Sequence, residues 1–135
     1  MKTILLVDDE ADVRAVLKMR LERAGYRVLE AQTGLQALEM TYSANPDLVV
    51  LDYTLPLMSG LEVLKMFRQT PATADLPVLL VSGVDDALME QCIDDLKVFA
   101  SFAKPFSPAL VVKKIEEALE GWTIGDSDGV ISMSC

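Results

Sequence analysis

Short apolar runs alternate along the chain with stretches in which apolar residues recur every three or four positions. Runs of the first kind are typical of buried β-strands, and stretches of the second kind are typical of amphipathic helices. A helix is predicted after each strand, and the last two helices are predicted at about 85–96 and at 107–119. The apolar runs themselves predict five strands, at residues 4–7, 26–30, 48–51, 78–81 and 98–103.

Several of the predicted helices carry end signals. Thr33 with Gln36, and Ser59 with Glu62, have the spacing of a capping box, in which two residues satisfy each other's free main-chain donors. The first helix is predicted to stop at Gly25, a typical C-terminal cap, after apolar residues at helical spacings. These apolar residues are Val13, Val16, Leu17, Leu21 and Ala24.

The alternation predicts the fold class. Continuous apolar strands between amphipathic helices indicate a parallel sheet with helices on both faces, because right-handed crossovers place the helices there. Five such units predict an α/β protein with a doubly wound, flavodoxin-like five-stranded sheet of order 2-1-3-4-5 in a single domain. We expect the domain to occupy residues 1–121, and residues 122–135 to form a C-terminal tail or the start of a linker.

Composition excludes several classes of function. The chain of 135 residues has 21 acidic against 12 basic residues and a formal net charge of −9, which argues against direct binding of nucleic acid through a basic face. It has no histidine, the commonest general base and zinc ligand, and only two cysteines, too few for a disulfide framework.

The N-terminal segment does not indicate secretion. Acidic residues follow its short apolar run within the first ten positions, which a secretory signal would not tolerate. No apolar run approaches the roughly 20 residues that span a bilayer. We therefore expect a cytoplasmic protein that does not bind membranes.

Polar and charged residues follow four of the predicted strands. Because the carboxyl ends of parallel strands share one edge of the sheet, we expect these residues to meet near the switch point between strands 1 and 3. They are Asp8, Asp9 and Glu10 after strand 1, Asp52 after strand 3, Ser82 and Gly83 after strand 4, and Lys104 and Pro105 after strand 5.

A carboxylate cluster at that edge would need a cation. Two carboxylates ~4 Å apart repel by about 4 kcal/mol at an effective dielectric constant near 20. Asp8, Asp9 and Asp52 offer few, hard oxygen ligands with room for water, which suits Mg²⁺ better than zinc or calcium. Taken singly, an aspartate after a strand is often a helix N-cap, Ser82 a turn residue and Lys104 a surface lysine; their common edge favours a joint role.

Four separated motifs resemble the receiver domains of two-component response regulators. They cover about residues 1–120 and stand in the family's order. The motifs are LLVDDE at 5–10, LDYTLPLMSG at 51–60, VLLVSG at 78–83 and KPF at 104–106.

The resemblance implies roles for individual residues. Asp52 would be the phosphoacceptor, taking a phosphoryl group from the phosphohistidine of a partner kinase or from a small acyl phosphate. Mg²⁺ would be held by Asp9, Asp52 and the main-chain carbonyl of Thr54, with Asp8 acting mainly through water. Ser82, the Gly83 amide and Lys104 would bind the phosphoryl oxygens, and the Lys104–Pro105 peptide bond would be cis.

The resemblance also implies partners. The donor would be a sensor histidine kinase or a histidine phosphotransfer protein, the output would pass through a downstream protein partner, and the chain could form a homodimer or serve within a phosphorelay. It would be no enzyme beyond phosphorylating itself from acyl phosphates and dephosphorylating itself. A pseudo-receiver that works without phosphorylation remains an alternative. A Mg²⁺ phosphatase with an aspartyl-phosphate intermediate is disfavoured, because Asp-x-Asp after strand 1 and a large cap are absent from the sequence.

The chain departs from the family's pattern near strand 5. Ser101 stands where the family usually has Tyr or Phe, and strand alternation places Phe102 on the opposite face. Lys97 and Val98 replace the usual Gly-Ala before the strand. We therefore expect the face formed by strand 5 and the last two helices to signal differently from the usual aromatic switch.

Two positions near the site bear on the lifetime of the phosphorylated state. In the family, the residues two beyond the phosphoacceptor and two beyond the serine flank the path of the hydrolytic water. Here they are Thr54 and Val84, and neither is a good base. We therefore expect a long-lived phosphorylated form.

Overall fold

The computed structural model describes residues 1–83 and 94–128, with side chains as far as residue 120. Within this part of the chain, five parallel strands form one sheet of order β2-β1-β3-β4-β5, which confirms the predicted topology. The strands are β1 (Thr3–Val7), β2 (Arg27–Ala31), β3 (Leu48–Asp52), β4 (Val78–Ser82) and β5 (Ala100–Ala103).

Helices follow the strands as the alternation predicts. They are α1 (Ala11–Arg23), α2 (Gly34–Ala44), α3 (Gly60–Gln69), a short 3₁₀ turn (Pro71–Thr73) and α4 (Pro108–Asp128). The helix predicted at about 85–96 lies almost wholly outside the described residues. The last helix was expected to end near Leu119, but its main chain is helical as far as Asp128. None of the helices described is long and apolar enough to cross a membrane.

The central strands are buried because helices cover both faces of the sheet. Every residue of β3 and β4 is buried, and β1 is buried after its first residue. Along β1, Leu5 and Val7 pack into one apolar cluster with α2 and α3. Ile4 and Leu6 point the other way, into a second cluster with α1 and α4. The strand ends that carry the polar residues therefore rest on a packed, rigid base.

The end of α1 follows the prediction. Gly25 has a φ of +96°, a left-handed conformation that glycine adopts without steric cost. Its N–H donates to Glu22 O at 3.1 Å, and the N–H of Tyr26 donates to Leu21 O at 3.0 Å. This pair of bonds is a Schellman cap, which satisfies the last carbonyls of the helix.

The two predicted capping boxes differ in outcome. Ser59 and Glu62 form the complete reciprocal box at the start of α3. At α2, the hydroxyl of Thr33 accepts from the N–H of Gln36 as predicted. The amide of Gln36 departs from the box, because its oxygen accepts from the N–H of Gln32 at 2.7 Å. The predicted box at α2 is therefore only half formed, because the side-chain oxygen of Gln36 accepts from Gln32 and not from Thr33.

The buried face of α1 is rotated from the predicted one. Leu17 and Leu21 are buried as expected, but Val16 is 42% exposed. Arg14 takes a buried position instead, with 8% exposure. The apolar spacing alone could not reveal this rotation, because Arg14 is drawn inward by hydrogen-bond partners on other elements.

Arg68, in the last turn of α3, forms hydrogen bonds with loops at the amino ends of the strands, away from the polar strand-end residues. Its guanidinium is half-buried, and burial lowers its pKa. Among the described residues it donates only to main-chain carbonyls, which lie in the segments that precede β4 and β5. The acceptors are Leu96 at 2.7 Å, Leu76 at 2.9 Å, Thr73 and Ala74 at 3.2 Å, and Lys97 at 3.3 Å.

Replacing Arg68 should destabilise the fold. Arg68→Ala leaves these carbonyls without their donor, and we expect the free energy of unfolding to fall by about 2–4 kcal/mol. Arg68→Lys should lose nearly as much, because one ammonium cannot span carbonyls that a planar fork reaches. Urea denaturation measures both. Exposed Arg23 is the control, and Arg23→Ala should change stability by less than about 0.5 kcal/mol; an equally small effect at Arg68 would contradict the prediction.

Candidate functional site

The register of the sheet brings the polar strand-end residues together. Val7 of β1 pairs with Leu51 of β3, so the next residues along these adjacent strands, Asp8 and Asp52, are neighbours. Ser82 pairs with Ala103, so Lys104 begins the loop beside it. The N–H of Lys104 donates to Ser82 O at 2.8 Å, which continues the ladder by one residue. Convergence at one edge therefore follows from the strand order, as the sequence predicted.

Lys104 lies at the centre of the acidic residues. Its ammonium is 2.9 Å from Asp8 Oδ2, 2.9 Å from Glu10 Oε1 and 3.0 Å from Asp52 Oδ2. Its side chain is only 17% exposed, so these bonds form in a partly desolvated place. The peptide bond between Lys104 and Pro105 is cis, as the resemblance implied.

The acidic cluster is larger than its lysine can neutralise. Asp8, Asp9, Glu10 and Asp52 each offer a carboxylate oxygen within 4.8 Å of the others. Asp8 and Asp52 are buried, whereas Asp9 and Glu10 are exposed. With all four ionised, one ammonium leaves three charges unmatched within this cluster. A hard divalent cation with oxygen ligands would fit the donor set.

The surroundings shift the pKa values of the two central groups. Burial raises the pKa of Asp52, and its hydrogen bonds from Lys104 and from the Thr54 N–H only partly offset this. Burial alone would lower the pKa of Lys104, but its hydrogen bonds to Glu10, Asp8 and Asp52 outweigh burial and raise it. Lys104 is therefore a permanent positive charge beside a carboxylate that is costly to ionise.

Asp52 is held rigidly. Its Oδ1 accepts from the N–H of Thr54 at 3.1 Å, while its Oδ2 faces Lys104 at 3.0 Å. Behind it, Gly60 begins α3 so close to the strand that a Cβ there would overlap the main-chain carbonyl of Asp52. The N–H of Gly60 donates to Tyr53 O at 2.9 Å. Only glycine fits at this position, and it fixes the helix against the strand end.

The remaining predicted residues line the same edge. Ser82 is buried at the end of β4, and Gly83 follows it with open space where a Cβ would stand. Thr54 is exposed, and its described contact is the N–H bond to Asp52; a metal-binding role of its carbonyl stays a prediction. Val84 lies outside the described residues.

The sequence analysis placed Glu10 at this edge without giving it a role, and it missed Arg14 and Glu30. Glu10 belongs to the cluster and pairs with Lys104, a role that its position directly after two aspartates could have indicated. Arg14 donates to the carbonyl of Asp8 at 2.6 Å, and Glu30 on β2 accepts from Arg14 at 3.0 Å. No local sequence motif indicates Arg14 or Glu30, because their pairing depends on how α1 lies across β2.

Known proteins are similar to this chain in sequence. The family model of the response regulator receiver domain matches residues 4–116. The phosphate regulon transcriptional regulatory protein PhoB of Pseudomonas aeruginosa is 36% identical over 134 residues, which cover 98% of this chain and 58% of that protein. Sporulation initiation phosphotransferase F of Bacillus subtilis is 36% identical over 103 residues, covering 76% of this chain and 82% of that protein.

Solved structures agree with the fold. The chemotaxis protein CheY4 of Vibrio cholerae has a TM-score of 0.80 at 27% identity, over 87% of this chain and 98% of that chain. A CheY-like receiver domain protein of Methanospirillum hungatei has a TM-score of 0.83 at 28% identity, over 89% of this chain and 94% of that chain.

The matches cover most of this chain but only part of several relatives. The chain spans about half the length of several curated relatives that it matches, 58%, 48% and 47% for three of them. The family match, by contrast, covers all five strands except Thr3 and includes every strand-end residue of the site. The chain belongs to the response regulator receiver domain family, the signal-receiving domains of two-component signal transduction.

Proposed function

We propose that the chain is a phosphoacceptor switch, which takes a phosphoryl group on Asp52 with the help of Mg²⁺ and signals through protein contacts. The observation that carries this proposal is the buried carboxylate of Asp52, held between the Thr54 N–H and the Lys104 ammonium within an acidic cluster. Phosphoryl transfer needs a positioned nucleophile and positive charge for the phosphoryl oxygens, and both lie at this edge.

The residues would act in distinct ways. A carboxylate oxygen of Asp52 would attack the phosphorus of the donor, and the bond from phosphorus to the donor's nitrogen or acyl oxygen would break. Lys104 would turn from the carboxylates to the phosphoryl oxygens, with the Ser82 hydroxyl and the Gly83 N–H as further donors. Asp8, Asp9, Asp52 and the Thr54 carbonyl would hold Mg²⁺. When bound, the ion supplies charge neutralisation for the phosphoryl group.

Partners follow from the same chemistry. The proposed donor is a sensor histidine kinase or a histidine phosphotransfer protein, and the output is a protein partner or a second copy of the chain. The relatives include transcriptional regulators by name, but this chain spans only part of their length. Its net charge of −9 supports the prediction that the chain itself binds no nucleic acid. Localisation in the cytoplasm and the tail at 122–135 also stay predictions.

Phosphorylation should be visible in the intact mass. Incubation with Mg²⁺ and acetyl phosphate should add one phosphoryl group, about 80 Da, because Asp52 combines a rigid nucleophile with adjacent positive charge. Asp52→Asn keeps the shape but removes the nucleophile, and it should gain nothing; chelation of Mg²⁺ should abolish the gain in the wild-type protein.

Two results would contradict this mechanism. An adduct that persists in Asp52→Asn would place the phosphoryl group elsewhere. A wild-type protein that binds Mg²⁺ but gains no mass from acetyl phosphate or from a phosphorylated histidine donor would favour the pseudo-receiver alternative, in which the pocket works without phosphorylation.

Removing one negative charge from the acidic cluster should stabilise the folded protein when no Mg²⁺ is present. Without Mg²⁺ at neutral pH, Asp52→Asn should raise the free energy of unfolding by about 1–2 kcal/mol, because it removes repulsion between buried carboxylates. At a Mg²⁺ concentration ~100 times the dissociation constant, the wild type gains about 2.7 kcal/mol and the difference should reverse. Urea denaturation with and without Mg²⁺ tests this.

The pH dependence of that difference has a definite sign. The pKa of Asp52 is raised above its ordinary value of 3.8, so the folded state holds this proton more tightly than the unfolded state. The associated stability is present below the ordinary value and lost as pH rises through the folded pKa. The advantage of Asp52→Asn should therefore shrink in acid, and an advantage that grew there would contradict the assignment.

The phosphorylated form should be long-lived. Neither Thr54 nor Val84 can act as a base on a hydrolytic water, so we expect a half-life of many minutes or longer. Following the decay of the mass adduct after removal of acetyl phosphate measures it. Thr54→Glu places a carboxylate at the same position and should shorten the half-life; a wild-type half-life of a few seconds would overturn the expectation.

A further inference from the structure

Arg14 is a buried charge that the proposed phosphoryl chemistry does not use. It lies in α1 with its side chain only 9% exposed. Its Nη1 donates to the main-chain carbonyl of Asp8 at 2.6 Å, and its Nε donates to Glu30 Oε1 at 3.0 Å. One planar guanidinium therefore bridges the strand end that carries Asp8 and the edge strand β2.

Asp8 is held on every side by such bonds. Its N–H donates to Ala31 O at 3.1 Å, and its carbonyl accepts from Arg14. Its Oδ1 accepts from the N–H of Glu10 at 2.8 Å, and its Oδ2 faces Lys104 at 2.9 Å. The two main-chain bonds both lead to β2, one directly through Ala31 and one through Arg14. The β1–α1 turn is thus oriented by its neighbouring strand.

The burial of Asp8 makes its hydrogen bonds important. Asp8 is 5% exposed, and a cavity of about 10 Å³ lies beside Asp8, Arg14 and Asp52. Buried polar groups are stabilised by hydrogen-bond partners, and of the bonds that Asp8 makes, the bond from Arg14 is the shortest, at 2.6 Å.

The charge of Arg14 and the hydrogen bonds of Arg14 predict opposite effects on cation binding by the acidic cluster. A lone guanidinium beside the acidic cluster would repel a bound cation. Glu30 offsets part of that charge, because it accepts from Arg14 at 3.0 Å; its other oxygen lies 3.4 Å from Lys18. What remains is the orientation of the Asp8 peptide and, through it, of the carboxylates that follow β1.

We propose that Arg14 is a positioning residue that sets the affinity of the acidic cluster for a divalent cation, with Glu30 holding its guanidinium in place. The proposal rests on the proposed function, since it assumes that the cluster binds Mg²⁺. It extends that function beyond the ligands themselves to a pair on α1 and β2. Groups that orient metal ligands typically change metal affinity by about 10–100-fold when removed.

The test is the dissociation constant for Mg²⁺, measured by isothermal titration calorimetry on folded protein. Arg14→Ala should weaken Mg²⁺ binding about 10-fold, although it removes a positive charge. Lys18→Ala is the matched control, because Lys18 meets Glu30 but has no described bond to Asp8; it should change the affinity less than about twofold. Arg14→Lys, which keeps the charge but can serve only one partner at a time, should fall between wild type and Arg14→Ala.

Glu30→Gln separates the two contributions. It keeps a side-chain oxygen that accepts from Arg14 but removes the negative charge, so Mg²⁺ binding should weaken at low salt and recover towards wild type at about 0.5 M salt, where charges are screened. The loss in Arg14→Ala should persist at both salt concentrations. Hydrogen exchange should also rise at residues 8–10 in Arg14→Ala and not in Lys18→Ala. If Arg14→Ala does not fold, Arg14→Lys and Glu30→Gln carry the test.

The outcomes distinguish this inference from the proposed function. Unchanged or tighter Mg²⁺ binding in Arg14→Ala, with a wild type that binds Mg²⁺ and gains a phosphoryl group, would overturn the positioning role alone. An equal loss in Lys18→Ala would also overturn it, because nearby charge rather than the bond to Asp8 would then be responsible. A wild type that binds no Mg²⁺ would remove the proposed function and this inference together.

Discussion

Two buried carboxylates side by side are the constraint on which this structure depends. Asp8 and Asp52 follow neighbouring positions of β1 and β3, with 5% and 3% exposure. Such a pair is unfavourable unless positive charge or hydrogen-bond donors meet it. Lys104 supplies the charge from β5, and the N–H groups of Glu10 and Thr54 supply donors. With all four acidic residues ionised, the edge therefore carries more negative charge than Lys104 balances.

The rest of the fold supplies rigidity to that edge. The strands that carry the two carboxylates are buried, except for the first residue of β1, with an apolar cluster on each face of the sheet. Close packing allows little movement of such strands. Gly60 adds a contact that no other residue could make, since a side chain there would overlap the main chain of Asp52. A nucleophile fixed before its partner arrives needs less ordering during the reaction.

Much of this could be predicted because it depends on order along the chain. Strand order fixes which strand ends adjoin, and parallel strands place those ends at one edge, so the convergence of Asp8, Asp52 and Lys104 followed from the apolar pattern. The inward turn of Arg14 did not follow from it. Its partners are a carbonyl on β1 and a carboxylate on β2, and the apolar spacing of α1 allowed Val16 to be placed inside instead. Apolar periodicity predicts that a helix has a buried face. It predicts only roughly which residues form that face when a polar side chain is buried by hydrogen bonds to other elements.

The unusual residues near β5 are accommodated by the main chain. Lys97 has a φ of +54°, a conformation that glycine adopts at lower cost, and its carbonyl accepts from Arg68. Ser101 is exposed on β5, whereas Phe102 packs against the cluster of α1 and α4, so no aromatic ring lies at position 101 to follow a movement of Ser82. The N–H of Lys104 donates to Ser82 O at 2.8 Å, which links the ends of β4 and β5 through the main chain. A displacement of the Ser82 main chain would therefore be transmitted to β5 by this bond and by the pairing of the two strands.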